Sequence, residues 1–151
     1  MLGVFRVLAG PFLRISLRAI DEFPYRAAIA AGVKLVMLNW AVYPALDASH
    51  PAGLSSAIIN GELRRRLGFT GVTITDALEA GALQAYGTIR HRAALAARAG
   101  MDLILCSALQ PGEGGQARIA LARGYQRGAL GQAAFRASVQ RVLALRASLR
   151  R

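Results

Sequence analysis

The polar side chains able to do chemistry in this 151-residue chain sit behind three short apolar runs. Asn39, Trp40, Tyr43 and Asp47 follow the first, Thr75, Asp76 and Glu79 the second, and Ser107 and Gln110 the third. Asp76 carries the most chemical potential. It is a lone carboxylate placed directly after Val72–Thr75, a β-branched run, and a carboxylate there can attack an electrophilic carbon or move a proton. The same position suits an N-cap for a following helix, and spacing alone leaves nucleophile and cap even. Glu79, three residues on, would complete a capping box. Thr75 reads as a strand-end cap, Asp47 between Pro44 and Pro51 as a turn residue, and Asp102 as a residue that orients local backbone.

Other chemistries find little support. His50 and His91 are far apart, and neither has a second His or Cys at ligand spacing, so no metal or cofactor is expected. No Gly-x-Ser-x-Gly elbow is present, and the Gly-rich run Pro111–Gly115 lacks a phosphate-loop lysine. That run reads as a flexible connection. Cys106, the single cysteine, lies in the apolar run LILC and reads as a small core residue.

These groups need a scaffold that brings strand ends together. The chain alternates helix and strand signals, which predicts an α/β fold with parallel strands. The predicted strands are Val33–Leu38, Val72–Thr75 and Asp102–Cys106, with Val4–Leu8 as a weaker candidate. Predicted helices cover Ser16–Ala31, interrupted at Pro24 with Asp21 and Glu22 as caps, then Ser55 or Ser56 to Leu67, closed by Gly68. A short helix follows over Ala77–Ala85, then Ile89–Ala99 capped by Thr88 and stopped by Gly100, and two more near Gln116–Leu130 and Gln132–Leu149. Asn39–Leu54 and Ser107–Gly115 read as loops. In a parallel sheet the loops after the strands share one face, so their polar groups can converge. Three strands are few, since a closed barrel of this kind needs eight and ~250 residues.

The formal net charge is +11, almost all of it arginine, because Lys34 is the only lysine. Such a charge attracts polyanions, but Arg64–Arg66 is the only tight cluster and no nucleic-acid motif accompanies it. Solvated helix faces are the favoured reading of the remaining arginines, with no specific nucleic-acid partner. No apolar run reaches the ~18–20 residues of a membrane span. The first residues loosely resemble a secretory leader, but Arg6 and Arg14 interrupt the apolar stretch, which favours a cytoplasmic chain.

The run VMLNWAVYPALDASHPAGLSSAIINGELRRRLGFTGVTITDALEAGAL resembles glycoside hydrolase family 3, in its bacterial β-N-acetylhexosaminidase branch. The matching features are Val36–Met37, Tyr43–Pro44 with Asp47, Pro51 to Ser55, the helix end LRRRLGF and GVTITD. AIDEFPYRAAIAAGV before it and AARAGMDLIL after it extend the resemblance over residues 19–106, while residues 1–15 match nothing. The resemblance implies that residues 1–151 form one partial (β/α)₈ TIM-barrel domain whose parallel strands correspond to strands six to eight. It implies a carbohydrate substrate, retaining hydrolysis of terminal β-linked N-acetylglucosamine of cell-wall type, and Asp76 as the nucleophile. Trp40 and Tyr43 are the candidate substrate-binding residues.

The departures are as informative. The family's acid/base histidine lies in an earlier Lys-His-Phe-Pro-Gly-His-Gly type segment, which is absent here. Ala77 stands where a second aspartate is usual, and Trp40 where a histidine is common. The resemblance therefore implies a nucleophile without its acid/base. The alternatives are a non-catalytic α/β module that self-associates or pairs with the missing barrel half, and a non-specific nucleic-acid binder.

Overall fold

The computed structural model describes residues 11–108 and 110–149. Val4–Leu8 lies outside them. The first helical layer is α1 (Pro11–Ser16), a wider π turn (Leu17–Asp21) and α2 (Phe23–Ala30). Pro24 occupies the first turn of α2, where its missing N–H is harmless. Glu22 precedes that helix without capping it; its carboxylate turns to Arg66 instead.

Strand β1 (Leu35–Leu38) pairs in parallel with β4 (Val72–Thr75), in the register Leu35 to Val72 through Leu38 to Thr75. The predicted loop 39–54 contains an antiparallel ribbon, β2 (Val42–Tyr43) with β3 (Asp47–Pro51). The Asp47 carboxylate turns it by accepting from the backbone N–H groups of Ser49 and His50 at 2.8 and 3.2 Å. Ser55 Oγ donates to Asp47 at 2.7 Å and accepts from Ile58 N–H at 3.2 Å, so one hydroxyl joins the ribbon to the next helix. That helix, Ala57–Arg66, is wound in the π form, and Gly68 follows at φ +75°, a left-handed conformation that favours glycine.

The third predicted strand is reduced to one parallel bridge, Ile74 with Leu103. Leu103 N–H donates to the Thr73 carbonyl, and Thr75 N–H to the Leu103 carbonyl. The next rung is lost because Leu105 N–H bonds the Thr75 hydroxyl at 2.9 Å. Thr73 repeats the device, its hydroxyl accepting from Asp102 N–H at 3.1 Å. Two threonines with fully buried side chains thus replace part of the backbone ladder.

Helix α3 (Ile89–Ala99) follows, capped by the Thr88 hydroxyl on His91 N–H and ended by Gly100 at φ +111°. Helix α4 begins at Pro111, not near Gln116, so the Gly-rich run forms its first turns. Packing against α3, with Ala117 buried, overrides the weak helix propensity of those glycines. Helix α5 is Gln132–Ser148. The core gathers Leu38, Trp40, Ile59, Leu78, Leu83 and Ala96 between the sheet and its helices.

One buried carboxylate ties these layers. Asp102 has a side chain with 0% exposure. It accepts from Arg64 at 2.6 Å, Arg141 at 2.7 Å, Ser138 Oγ at 2.6 Å and Thr73 N–H at 2.9 Å. Burial alone would raise its pKa, but these donors hold it below the ordinary carboxylate value. Asp102→Asn leaves two arginines facing a neutral amide, so it should lower unfolding stability by about 3–5 kcal/mol in a urea titration. Because the folded pKa lies below the unfolded one, the Asp102 contribution is present above about pH 4. It should be lost as pH falls through the folded value. The melting temperature of the wild type should fall over that acid range, and that of Asp102→Asn should fall less steeply.

Candidate functional site

Asp76 emerges at the C-terminal end of β4. Its backbone N–H donates to the Leu38 carbonyl at 3.0 Å, which fixes it beside the end of β1. Its half-buried carboxylate accepts from Ala77 N–H at 2.7 Å. The helix predicted over Ala77–Ala85 does not form. Residues 77–80 make a turn, and a 3₁₀ segment covers Gly81–Tyr86. The cause is visible in the backbone accounting. The Ala77 carbonyl accepts from the Trp40 indole N–H at 2.9 Å, Leu78 N–H donates to the Leu105 carbonyl at 3.0 Å, and the Leu78 carbonyl accepts from Arg92 at 2.8 Å. These contacts fix the path of residues 77–78 from outside, and within the turn the Ala77 carbonyl also accepts from Ala80 N–H at 3.2 Å, an i to i+3 bond. Asp76 therefore caps no helix starting at Ala77.

Glu79 does not complete a capping box. Its carboxylate reaches across to the loop after Leu105, accepting from Ser107 N–H at 2.5 Å, Ser107 Oγ at 3.0 Å and Ala108 N–H. Burial opposes its charge, but these hydrogen bonds hold its pKa below the usual carboxylate range. Cys106 is half-buried against the core. Burial, with the Glu79 and Glu113 carboxylates nearby, pushes its thiol pKa up.

Trp40, 7% exposed, is a core residue whose ring lies against Gly53. Asn39 donates to the Tyr43 hydroxyl at 2.9 Å, and both line a cavity of about 350 Å³ with Tyr25, Val36, Leu38 and Glu62. That cavity lies between the first helical layer and β1, and Asp76 is not in its wall. Asp47 is held within its own ribbon, with His50 Nδ1 at 3.3 Å from its carboxylate. Gln110 is exposed at the start of α4 and joins none of these groups through its side chain among the described residues. The three strand ends are thus connected through Leu38, Trp40, Asp76, Glu79 and Ser107.

Most described arginines are exposed, as the solvated-face reading expects, but several are not. Arg64 turns inward to Asp102, Arg66 to Glu22 and Glu62, Arg18 to Glu62 at 2.8 Å, and Arg92 is buried. Of the 64–66 cluster only Arg65 is exposed. Alternation cannot reveal this, because an arginine on an alanine-rich helix reads as surface until its partner carboxylate is placed. Arg92 is the residue that sequence reasoning missed beside the site.

The family model for the glycosyl hydrolase family 3 N-terminal domain matches residues 12–145. This chain belongs to glycosyl hydrolase family 3. An uncharacterized secreted glycosyl hydrolase of Arthroderma benhamiae is 45% identical over 133 residues, 88% of this chain and 38% of the relative. A β-hexosaminidase of Nitrosomonas eutropha is 40% identical over 85 residues, 56% of this chain and 24% of that protein. The structure of a family 3 β-N-acetylglucosaminidase from Paenibacillus superposes with a TM-score of 0.80 at 37% identity, covering 87% of this chain and 25% of that one. The chain therefore spans between 24% and 38% of the length of these relatives. Among the described residues no helix is long and apolar enough to cross a membrane.

Trp40 is the only tryptophan, so its emission reports on this site. A Cβ at Gly53 would stand 2.5 Å from Trp40 Cζ3. Gly53→Ala must displace the ring and strain the indole bond to Ala77. The expected result is red-shifted fluorescence with about 1–3 kcal/mol lower stability in the same denaturant titration.

Proposed function

We propose that this family 3 chain supplies the nucleophile-bearing part of a retaining β-N-acetylhexosaminidase (β/α)₈ barrel. On this reading β1, β4 and the 102–106 segment are its sixth to eighth strands, and Asp76 is the nucleophile. The observation that carries the reading is the place of Asp76: a half-buried carboxylate at the C-terminal end of the central strand, within the family-like run GVTITD. The carboxylate attacks the anomeric carbon of a terminal N-acetylglucosamine through an oxocarbenium-like transition state, the aglycone leaves, and water hydrolyses the glycosyl-enzyme. Tyr43 remains the candidate for contact with the sugar, and Trp40 acts from behind through Ala77.

The departing oxygen needs a proton unless it is already a weak base. Neither histidine hydrogen-bonds Asp76 or residues 77–80 among the described residues: His50 faces Asp47, and His91 is exposed on α3. General acid help contributes about 10²–10⁴-fold, so oligosaccharides should turn over poorly. A dinitrophenyl N-acetyl-β-glucosaminide, whose phenolate leaves unaided, should label the chain covalently. Peptide mass mapping should place the sugar on Asp76, and Asp76→Asn should take up none. Undiminished labelling of Asp76→Asn would place the nucleophile elsewhere.

A second reading concerns assembly. Among the described residues β1 pairs on one side only, and Leu35 and Met37 are 40% and 52% exposed. An unpaired apolar edge is a template for another strand. We propose that this edge takes up the missing barrel strands or, without them, a second copy. Sedimentation velocity should show concentration-dependent dimers that Met37→Lys weakens, whereas a monomer at every concentration counts against self-association.

A further inference from the structure

The segment Asp76–Ala85 is helix-prone by sequence yet does not form an α-helix: residues 77–80 turn before a 3₁₀ segment from Gly81, and one of the groups holding that turn is a buried arginine. Arg92 is 9% exposed and makes no ion pair among the described residues. Its Nε has no hydrogen-bond partner. The rest of the buried face of α3 is Ala93, Ala96 and Ala99, so Arg92 is the only long side chain there. A guanidinium buried without a carboxylate is unfavourable unless its hydrogen bonds compensate. The bond it makes goes to the Leu78 carbonyl, at 2.8 Å.

That carbonyl decides the path of the segment. In a helix starting at Ala77 it would accept from Ala82 N–H, one helical turn further on. Its bond to Arg92 ties the turn to α3, as the Trp40 indole ties the Ala77 carbonyl, which also accepts from Ala80 N–H at 3.2 Å in an i to i+3 turn. The peptide before it then keeps its turn geometry, and Ala77 N–H points back to the Asp76 carboxylate at 2.7 Å. Resting on the reading of Asp76 as nucleophile, we propose that Arg92 is a positioning residue. By tethering the Leu78 carbonyl to α3 it holds residues 77–80 in their turn, against the helix that the sequence of residues 77–85 favours, and so fixes the aim of the Asp76 carboxylate.

The test compares wild type, Arg92→Met and Arg92→Lys in the full chain. Backbone Cα chemical shifts of residues 77–85 should move to helical values in Arg92→Met and return to the wild-type pattern in Arg92→Lys, which restores charge and donor. With the dinitrophenyl reagent at saturation, labelling of Arg92→Met should be roughly 10–100-fold slower, while the same final fraction of protein is labelled. A role limited to stability would instead reduce that fraction and leave the rate of the folded remainder unchanged. If Arg92→Met does not fold, Arg92→Leu, which also lacks a donor, carries the same comparison. Unchanged shifts over 77–85 overturn the proposal, as does an unchanged labelling rate. If wild type takes no label at Asp76 but residues 77–85 turn helical in Arg92→Met, the hold of Arg92 on the segment stands and the nucleophile reading fails.

Discussion

The buried carboxylate of Asp102 is the constraint on which the arrangement of this chain rests. Its two oxygens collect donors from the helix 57–66, from β4 and from α5, elements that share few backbone hydrogen bonds with one another. A sheet of two named strands and one further bridge has a short ladder. The lateral order that longer strands obtain from backbone pairing is obtained here from side chains. Asp102 locks the start of the third segment to Thr73, and Thr75 receives that segment again at Leu105. Those two fixed points set where the chain leaves β4, and therefore where Asp76 stands. A neutral residue at 102 could satisfy Thr73 N–H, but it would leave the partly buried Arg64 and Arg141 without their carboxylate.

The same logic recasts the charge of the chain. A net charge of +11 invites a surface reading, and in isolation Arg64–Arg66 looks like a basic patch. Its members divide between opposite tasks: Arg64 goes inward to Asp102, Arg66 bridges to Glu22 and Glu62, and Arg65 faces solvent. On a helix, neighbours in sequence point to different sides, so a run of three arginines serves three environments. Glu62, buried and bracketed by Arg18 and Arg66, shows why arginine suits these joints, since a planar guanidinium can offer two parallel bonds to one carboxylate.

Strand β4 was legible in the sequence because it is β-branched and bounded by Gly71 and Asp76. The helix 89–99 was legible because Thr88 and Gly100 mark its ends by local chemistry. Ser55 was legible as a cap, although its second bond, to Asp47, was not. What failed to show were contacts between residues distant in sequence. The ribbon at 42–51 hides in a Pro-rich run that reads as loop. The first turns of α4 hide in a glycine-rich run that continues into the part of the helix packed on α3, where Ala117 is buried. The strand at 102–106 has the right composition, but the Thr75 hydroxyl takes the amide its ladder needed. Asp102 itself looked like a local residue because its partners Arg64 and Arg141 lie 38 and 39 positions away.

The most instructive difference lies at Asp76. A carboxylate after a strand and before a helix-prone run can serve as cap or as nucleophile, and the two roles make opposite demands on the following backbone. A cap needs residues 77–80 to wind, so that its oxygen is consumed by the N–H groups of the first turn. A nucleophile needs them not to wind, so that one oxygen is steadied and the other left available to an electrophile. Here Trp40, Leu105 and Arg92 each hold one backbone group of residues 77–78 from outside the turn, and the Asp76 carboxylate takes a single bond from Ala77. The arrangement excludes the cap and is compatible with the nucleophile proposed above. Leu78, Trp40 and Leu38 bury the far side of the turn, so the hydrogen bonds that hold it act in an apolar setting, where unwinding them would leave donors and acceptors unpaired. The turn after Asp76 is thus held by groups that lie outside it.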